Sequence, residues 1–234
     1  MSTISDNLQH VRARIVQACE RTGRNPATVR LLAVSKTFGA DAVAEALAAG
    51  QQAFGENYVQ EGVDKIARLR EGSQNGLEWH CIGPLQSNKT RPVAENFDWV
   101  QSVDRLKIAQ RLSEQRPAGL PPLQVCVQVN VDGGPTKAGV TSEDALALAR
   151  AVAALPRLKL RGLMCIPEPA PDFASACAVF ARARALFDAL NAEGFGLDTL
   201  SMGMSDDLEA AVASGSTMVR VGSAIFGRRS YAQV

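Results

Sequence analysis

The chain has 234 residues, 46% hydrophobic and 21% charged, which suits one packed core and excludes a disordered or fibrous protein. Lys plus Arg number 25 against 24 Asp plus Glu, a net charge of +1, so no whole-surface field gathers nucleic acid or an anionic membrane. Five cysteines (Cys19, Cys81, Cys126, Cys165, Cys177) include no C-x-x-C pair and read as core thiols in a reducing compartment.

Charges interrupt every apolar run near the start, and no stretch approaches the roughly 20 apolar residues that cross a bilayer, so a cytoplasmic protein is expected. In chain order, Ile4, Leu8, Val11, Ile15 and Cys19 recur at helical spacing and predict an amphipathic helix over 4–19. Strands are expected at 31–34, 53–55, 78–82, 99–102, 123–130, 158–164, 199–201 and 218–221. Helices are expected between them at 41–49, 63–70, 89–96, 105–115, 142–155, 173–193 and 206–213, with a short closing helix. The helix over 173–193 places Phe173, Cys177, Phe180 and Phe187 along one face. Eight strands alternating with helices predict a single-domain α/β (β/α)8 TIM barrel with an extra N-terminal helix, spanning 1–234. A doubly wound open sheet is the alternative, but the first strand lacks a G-x-G-x-x-G turn. The breaker-rich stretches 114–122 and 167–172 read as loops of that domain.

A barrel carries its chemistry at the C-terminal ends of its strands. After the first strand comes Lys36, where desolvation makes an amine more nucleophilic; the plainer reading is a lysine snorkelling to solvent. His80, in the third strand, is either a base or a satisfied structural group, and with His10 it forms no metal cluster. Ser201 to Asp207 join the seventh strand to a helix, with Ser205 or Asp206 as a plausible N-cap. After the eighth strand, Gly222 and Ser223 let backbone N–H groups face an anion, where barrels commonly hold phosphate. Asp206 and Asp207 would repel a phosphate unless turned away, and capping turns without a ligand are the alternative. A strand-end lysine with a phosphate cradle suggests an aldehyde cofactor anchored at both ends.

Five motifs then stand in order: Ala33-Val34-Ser35-Lys36-Thr37, Phe54-Gly55-Glu56-Asn57-Tyr58, His80 through Lys89, Ser201 through Asp207, and Arg220-Val221-Gly222 through Phe226-Gly227. With them the chain, from its first helix to Tyr231, resembles the pyridoxal-phosphate homeostasis proteins, whose fold is similar to the N-terminal barrel of alanine racemase. The resemblance implies pyridoxal 5'-phosphate as cofactor and Lys36 as its Schiff-base lysine. It implies phosphate contacts from Ser205, Gly222 and Ser223, Arg220 near the pyridine nitrogen, and Asn57, Ile82, Ser201 and Met202 lining the cofactor. It also implies intracellular binding, storage or delivery of the cofactor, with pyridoxal-phosphate-dependent apo-enzymes as recipients, and neither catalytic residues nor a metal. Phe38 departs from relatives that carry a second lysine there, which puts an auxiliary ligand contact in doubt.

An arginine at the ring nitrogen disfavours its protonation and weakens the ring as an electron sink. In the resembled racemases the opposite-face tyrosine comes from an added β-domain of the partner subunit; this chain stops at Val234, directly after the barrel, and Tyr58 and Tyr231 are its only tyrosines. The alternatives are a small pyridoxal-phosphate-dependent amino-acid racemase or lyase, and a phosphate-binding or interaction barrel in which Lys36 is structural.

Overall fold

The computed structural model describes residues 3–71, 76–134 and 138–227; Lys137 and Tyr231 lie outside them. Eight parallel strands close on themselves: β1 (Arg30–Val34), β2 (Ala53–Glu56), β3 (Glu78–Cys81), β4 (Trp99–Val103), β5 (Leu123–Gln128), β6 (Leu158–Met164), β7 (Thr199–Ser201) and β8 (Met218–Val221). Around them run α2 (Ala40–Ala48), α3 (Val59–Glu71), α4 (Thr90–Asn96), α5 (Leu106–Gln115), α6 (Ser142–Ala153), α7 (Phe173–Ala192), α8 (Leu208–Ala213) and α9 (Ser223–Phe226). The barrel expected from strand–helix alternation is the fold observed.

The extra helix α1 (Ile4–Arg21) starts at a capping box in which Thr3 accepts from the Asp6 N–H and Asp6 accepts from the Thr3 N–H. It lies outside the barrel against α2, α8 and α9. Asn7 Nδ2 donates to Ile225 O at 2.8 Å, and Arg14 Nη2 donates to Ser205 O at 2.9 Å, so α1 braces the two loops that follow β7 and β8.

The main core lies between the strands and the helical ring, where Phe54, Ile66, Phe97, Ile108, Leu112, Leu163 and Phe180 are buried. Each such side chain contributes roughly 1.5–3 kcal/mol by leaving water. Inward-facing positions hold two smaller apolar clusters, Leu32, Val34, Ala53, Ile82 and Met218 on one side and Trp99, Cys126 and Met164 on the other. Four of the five free cysteines are buried, and burial pushes the thiols of Cys81, Cys126 and Cys165 up to about 12.

Where element boundaries differ from expectation, packing explains the difference. The helix expected over 63–70 starts earlier, at Val59, and runs through Gly62, where a Cβ would press on the Phe97 ring. Helix α8 begins at Leu208, two residues later than expected, and its N-cap is Asp207 rather than Ser205 or Asp206. The Asp207 carboxylate is spent on the preceding turn, accepting from the Met204 N–H at 2.6 Å. Phe173, expected on the core face of α7, is 59% exposed at its first turn, while Phe180 and Phe187 are buried. The 114–122 stretch is tied to the barrel by buried Arg116, which donates to Ala94 O and Phe97 O, each at 2.7 Å.

Gly162 of β6 faces Thr199 of β7 in register, and a Cβ at 162 would run into the Thr199 carbonyl. Gly162→Ala should therefore cost on the order of 3 kcal/mol, by overpacking against backbone that cannot yield. Denaturant unfolding of the variant beside wild type reads this directly; an unchanged midpoint would contradict the close approach.

Candidate functional site

Pairing of β1 with β8 sets Leu32 against Arg220 and Ala33 against Val221. The loops leaving these strands are consequently neighbours, and a cavity of about 250 Å³ opens between them at the C-terminal end of the barrel. Lys36, Asn57, Ile82, Ser205, Arg220, Gly222 and Ser223 all line it. Ser201 and Met202 do not: both are fully buried, Ser201 beneath Arg220 and Met202 in the main core. Phe38 completes the wall, its ring stacked 5.2 Å from that of Phe226, so an apolar face stands where a second amine would be.

The turn carrying Lys36 is clamped from behind. Thr37 has a φ of 70°, a left-handed conformation that a β-branched residue rarely takes. Its N–H donates to Glu61 Oε1 at 2.6 Å. Buried Lys65 of α3 donates to Glu61 Oε1 at 2.6 Å, to Glu56 Oε1 at 2.8 Å and to Ser35 O at 2.7 Å, while the Ser35 hydroxyl donates to Glu56 Oε1 at 2.6 Å. Burial raises the Glu56 carboxyl above its ordinary value, with Lys65 opposing. The strained turn is thus fixed to β2 and α3 on both sides of Lys36.

Across the cavity the donor set suits an anion. Ser223 and Ser205 hydroxyls are 3.1 Å apart, and the Ala224 N–H donates to Ser205 Oγ at 3.5 Å. A Cβ at Gly222 would stand 3.2 Å from Val34 O, so the residue keeps the β1–β8 seam tight and its backbone bare. Asp206 lines the mouth, and the Asp207 carboxylate is turned back into its own loop. An amine, a hydroxyl and backbone cradle, and a buried guanidinium meet in one cavity of small-molecule size.

Arg220 is 3% exposed, and burial works to lower its pKa, although a guanidinium remains charged. Its partners are a hydroxyl and a carbonyl: Nη1 donates to Ser201 Oγ at 2.7 Å and Nη2 to Cys165 O at 2.8 Å. Ser201 Oγ donates to Gln101 Oε1 at 2.6 Å, Gln101 Nε2 is 2.9 Å from His80 Nδ1, and His80 Nε2 is 2.6 Å from Glu78 Oε1. His80 stacks on Trp99 at 4.9 Å and is entirely buried below the cavity, a satisfied interior group. Gln101 and Glu78 were not among the residues singled out from the sequence; a lone amide in the apolar strand Trp99–Val103 was the available signal. Among the described residues, no group of three or more His, Cys, Asp or Glu is arranged to hold a metal ion.

The family model described as "Alanine racemase, N-terminal domain" matches residues 7–230. A Pseudomonas aeruginosa protein named pyridoxal phosphate homeostasis protein is 62% identical over 231 residues, covering 99% of this chain and 98% of its own. The chain belongs to the pyridoxal phosphate homeostasis protein family. An Escherichia coli K12 member is 54% identical over 233 residues, with all of both chains covered. The solved structure of PipY from Synechococcus elongatus PCC7942 with pyridoxal phosphate bound superposes with a TM-score of 0.82 at 38% identity, covering 96% of this chain and 100% of that one. Alanine racemase from Corynebacterium glutamicum, 17% identical with a TM-score of 0.68, shares the fold; 98% of this chain covers 62% of that one.

The pH dependence of stability follows from the buried pair. Burial holds the His80 pKa below its ordinary 6.5, even though the bond to Glu78 opposes this. Burial would raise Glu78, but its interactions with His80 and Arg30 outweigh that and hold it down to about 2, from 4.5. In both cases the unfolded chain binds more protons, so these groups stabilise the fold above their unfolded values and that contribution is lost as pH falls. Thermal unfolding should show wild type losing stability on acidification below about pH 6.5, with a smaller loss in His80→Phe. Identical acid profiles would contradict it.

Proposed function

We propose that this protein binds pyridoxal 5'-phosphate reversibly in the β1–β8 cavity and serves its homeostasis by holding and handing it to apo-enzymes, without turning over a substrate of its own. The observation that carries this reading is the single cavity shared by Lys36, the Ser205–Gly222–Ser223 cradle and Arg220. The names of its relatives and the pyridoxal-phosphate-bound PipY structure support the choice of ligand. When bound, the group supplies an aldehyde that condenses with an amine and releases water.

In this reading Lys36 is the attachment point, held toward the cavity by the Glu61–Lys65–Glu56 clamp. Ser205, Ser223 and the bare backbone at Gly222 hold the phosphate by hydrogen bonding. Arg220 turns a permanent cation and its remaining N–H groups toward the ring nitrogen, opposing protonation there. Asn57 and Ile82 flank the ring, one as a polar contact and one as an apolar wall; Ser201 supports Arg220 from below, and Met202 packs in the main core behind the sheet. A carrier of this kind fits a reducing cytoplasm, where five free thiols persist. Among the described residues no helix is long and apolar enough to cross a membrane.

Borohydride reduction of the loaded protein followed by peptide mass mapping should find the adduct on Lys36, and Lys36→Ala should abolish it without unfolding the chain. An adduct confined to exposed Lys89 or to Lys137 would overturn the assignment. Pyridoxal lacking the phosphate should be retained at least about tenfold less well, and Gly222→Val should weaken binding more than Ser223→Ala, because it crowds the backbone as well. Equal retention of the two ligands would refute the cradle. Alanine incubated with the loaded protein in deuterated water should exchange its Cα hydrogen no faster than with free cofactor. Racemisation over many turnovers, lost in Lys36→Ala, would establish the racemase reading instead.

A further inference from the structure

The interior of the barrel carries a hydrogen-bonded chain that runs from the floor of the cavity to the opposite end of the strands. Its members come from β8, β7, β4 and β3: Arg220, Ser201, Gln101, His80 and Glu78, with Arg30 of β1 donating to Glu78 Oε1 at 2.8 Å. The two ends have fixed roles. An arginine only donates, and an ionised carboxylate only accepts.

Those ends set the direction of every link between them. Ser201 Oγ accepts from Arg220, so its own proton goes to Gln101 Oε1. The Gln101 oxygen is thereby committed, its amide nitrogen must face His80, and His80 Nδ1 accepts. The His80 proton then sits on Nε2, directed at Glu78. Gln101 Nε2 also lies 3.2 Å from Met218 Sδ, a weaker acceptor that cannot by itself decide the amide's orientation. Reversing Gln101 would put an N–H where the Ser201 proton now finds its acceptor, leaving that proton unmet, and would leave two lone pairs facing one another across the barrel if His80 kept its tautomer. Buried links of this kind are costly to leave unmade.

We infer that Gln101 and His80 are positioning residues for Arg220: by fixing the direction of the Ser201 proton they hold the guanidinium in the one orientation that leaves its remaining donors turned to the cavity. The inference rests on the proposed meeting of Arg220 with the ring nitrogen of pyridoxal phosphate. A chain that merely fills the barrel would support both ends of the ligand alike. A positioning chain acts at the ring nitrogen alone.

The test compares dissociation constants for pyridoxal 5'-phosphate and for its carbocyclic analogue, in which a C–H replaces the ring nitrogen. Wild type should prefer the pyridine by about tenfold or more, the worth of a hydrogen bond from a charged donor. In Arg220→Leu that preference should vanish. In Gln101→Met and in His80→Phe, which keeps the stack on Trp99, it should fall at least about threefold while affinity for the analogue stays within about twofold of wild type. Gln101→Glu, which keeps an acceptor for Ser201, should retain the larger part of it. A full preference in Gln101→Met and His80→Phe, or equal weakening toward both ligands, would overturn the inference while leaving the Arg220 contact intact. A preference that survives Arg220→Leu would instead overturn the proposed ring-nitrogen contact, and the inference with it. The two positions are read independently, so a variant that does not fold leaves the other to decide.

Discussion

The pairing of the first strand with the last is the constraint on which the site depends. Leu32 lies opposite Arg220 and Ala33 opposite Val221, so the loop with Lys36 and the loop with Gly222 and Ser223 leave the barrel side by side. Residues from the two ends of the sequence thus meet only because the sheet closes. The close approach of Gly222 to Val34 O keeps that seam tight, and α1 reinforces it from outside through Asn7 and Arg14. The extra N-terminal helix is in this sense part of the site's foundation.

Two polar systems meet at the cavity from opposite sides of the barrel wall. Outside the wall, Glu56, Glu61 and Lys65 grip the turn that bears Lys36 and sustain the left-handed Thr37. Inside it, the chain from Arg220 to Glu78 replaces what would ordinarily be an apolar filling. Burying an arginine is costly unless its donors are met, and here a hydroxyl and a carbonyl meet them without neutralising its charge. The charge is therefore available to the cavity, where a carboxylate partner would have quenched it. Under the proposed function, such an environment keeps the ring unprotonated and favours holding a cofactor over stabilising carbanions on it.

The parts legible in the sequence are those whose signal is local. Alternating strands and helices gave away the barrel, and Lys36, Ser205, Gly222 and Ser223 stand at strand ends where barrel chemistry collects. Long-range pairing left no such trace. Nothing in the strand Trp99–Val103 says that its glutamine links a serine of β7 to a histidine of β3. The start of α3 at Val59 was not legible either, because the Phe97 ring that Gly62 makes room for comes from a distant turn. The N-cap of α8 falls at Asp207 rather than Ser205 or Asp206, its carboxylate serving the preceding loop, and Phe173 is exposed because the periodic face extends past the point where α7 leaves the core. These differences trace to tertiary context that a local pattern does not carry.

The central claim is that closure of β1 on β8 builds one site in which an amine, a phosphate cradle and a buried arginine address a single ligand. A crystal structure of the protein loaded with pyridoxal 5'-phosphate tests it most directly. The account requires electron density continuous from Lys36 Nζ into the ligand, with the phosphate against Ser205, Gly222 and Ser223 and the ring nitrogen facing Arg220. Ligand density elsewhere on the barrel, or in the cavity with phosphate and ring exchanged, would contradict it.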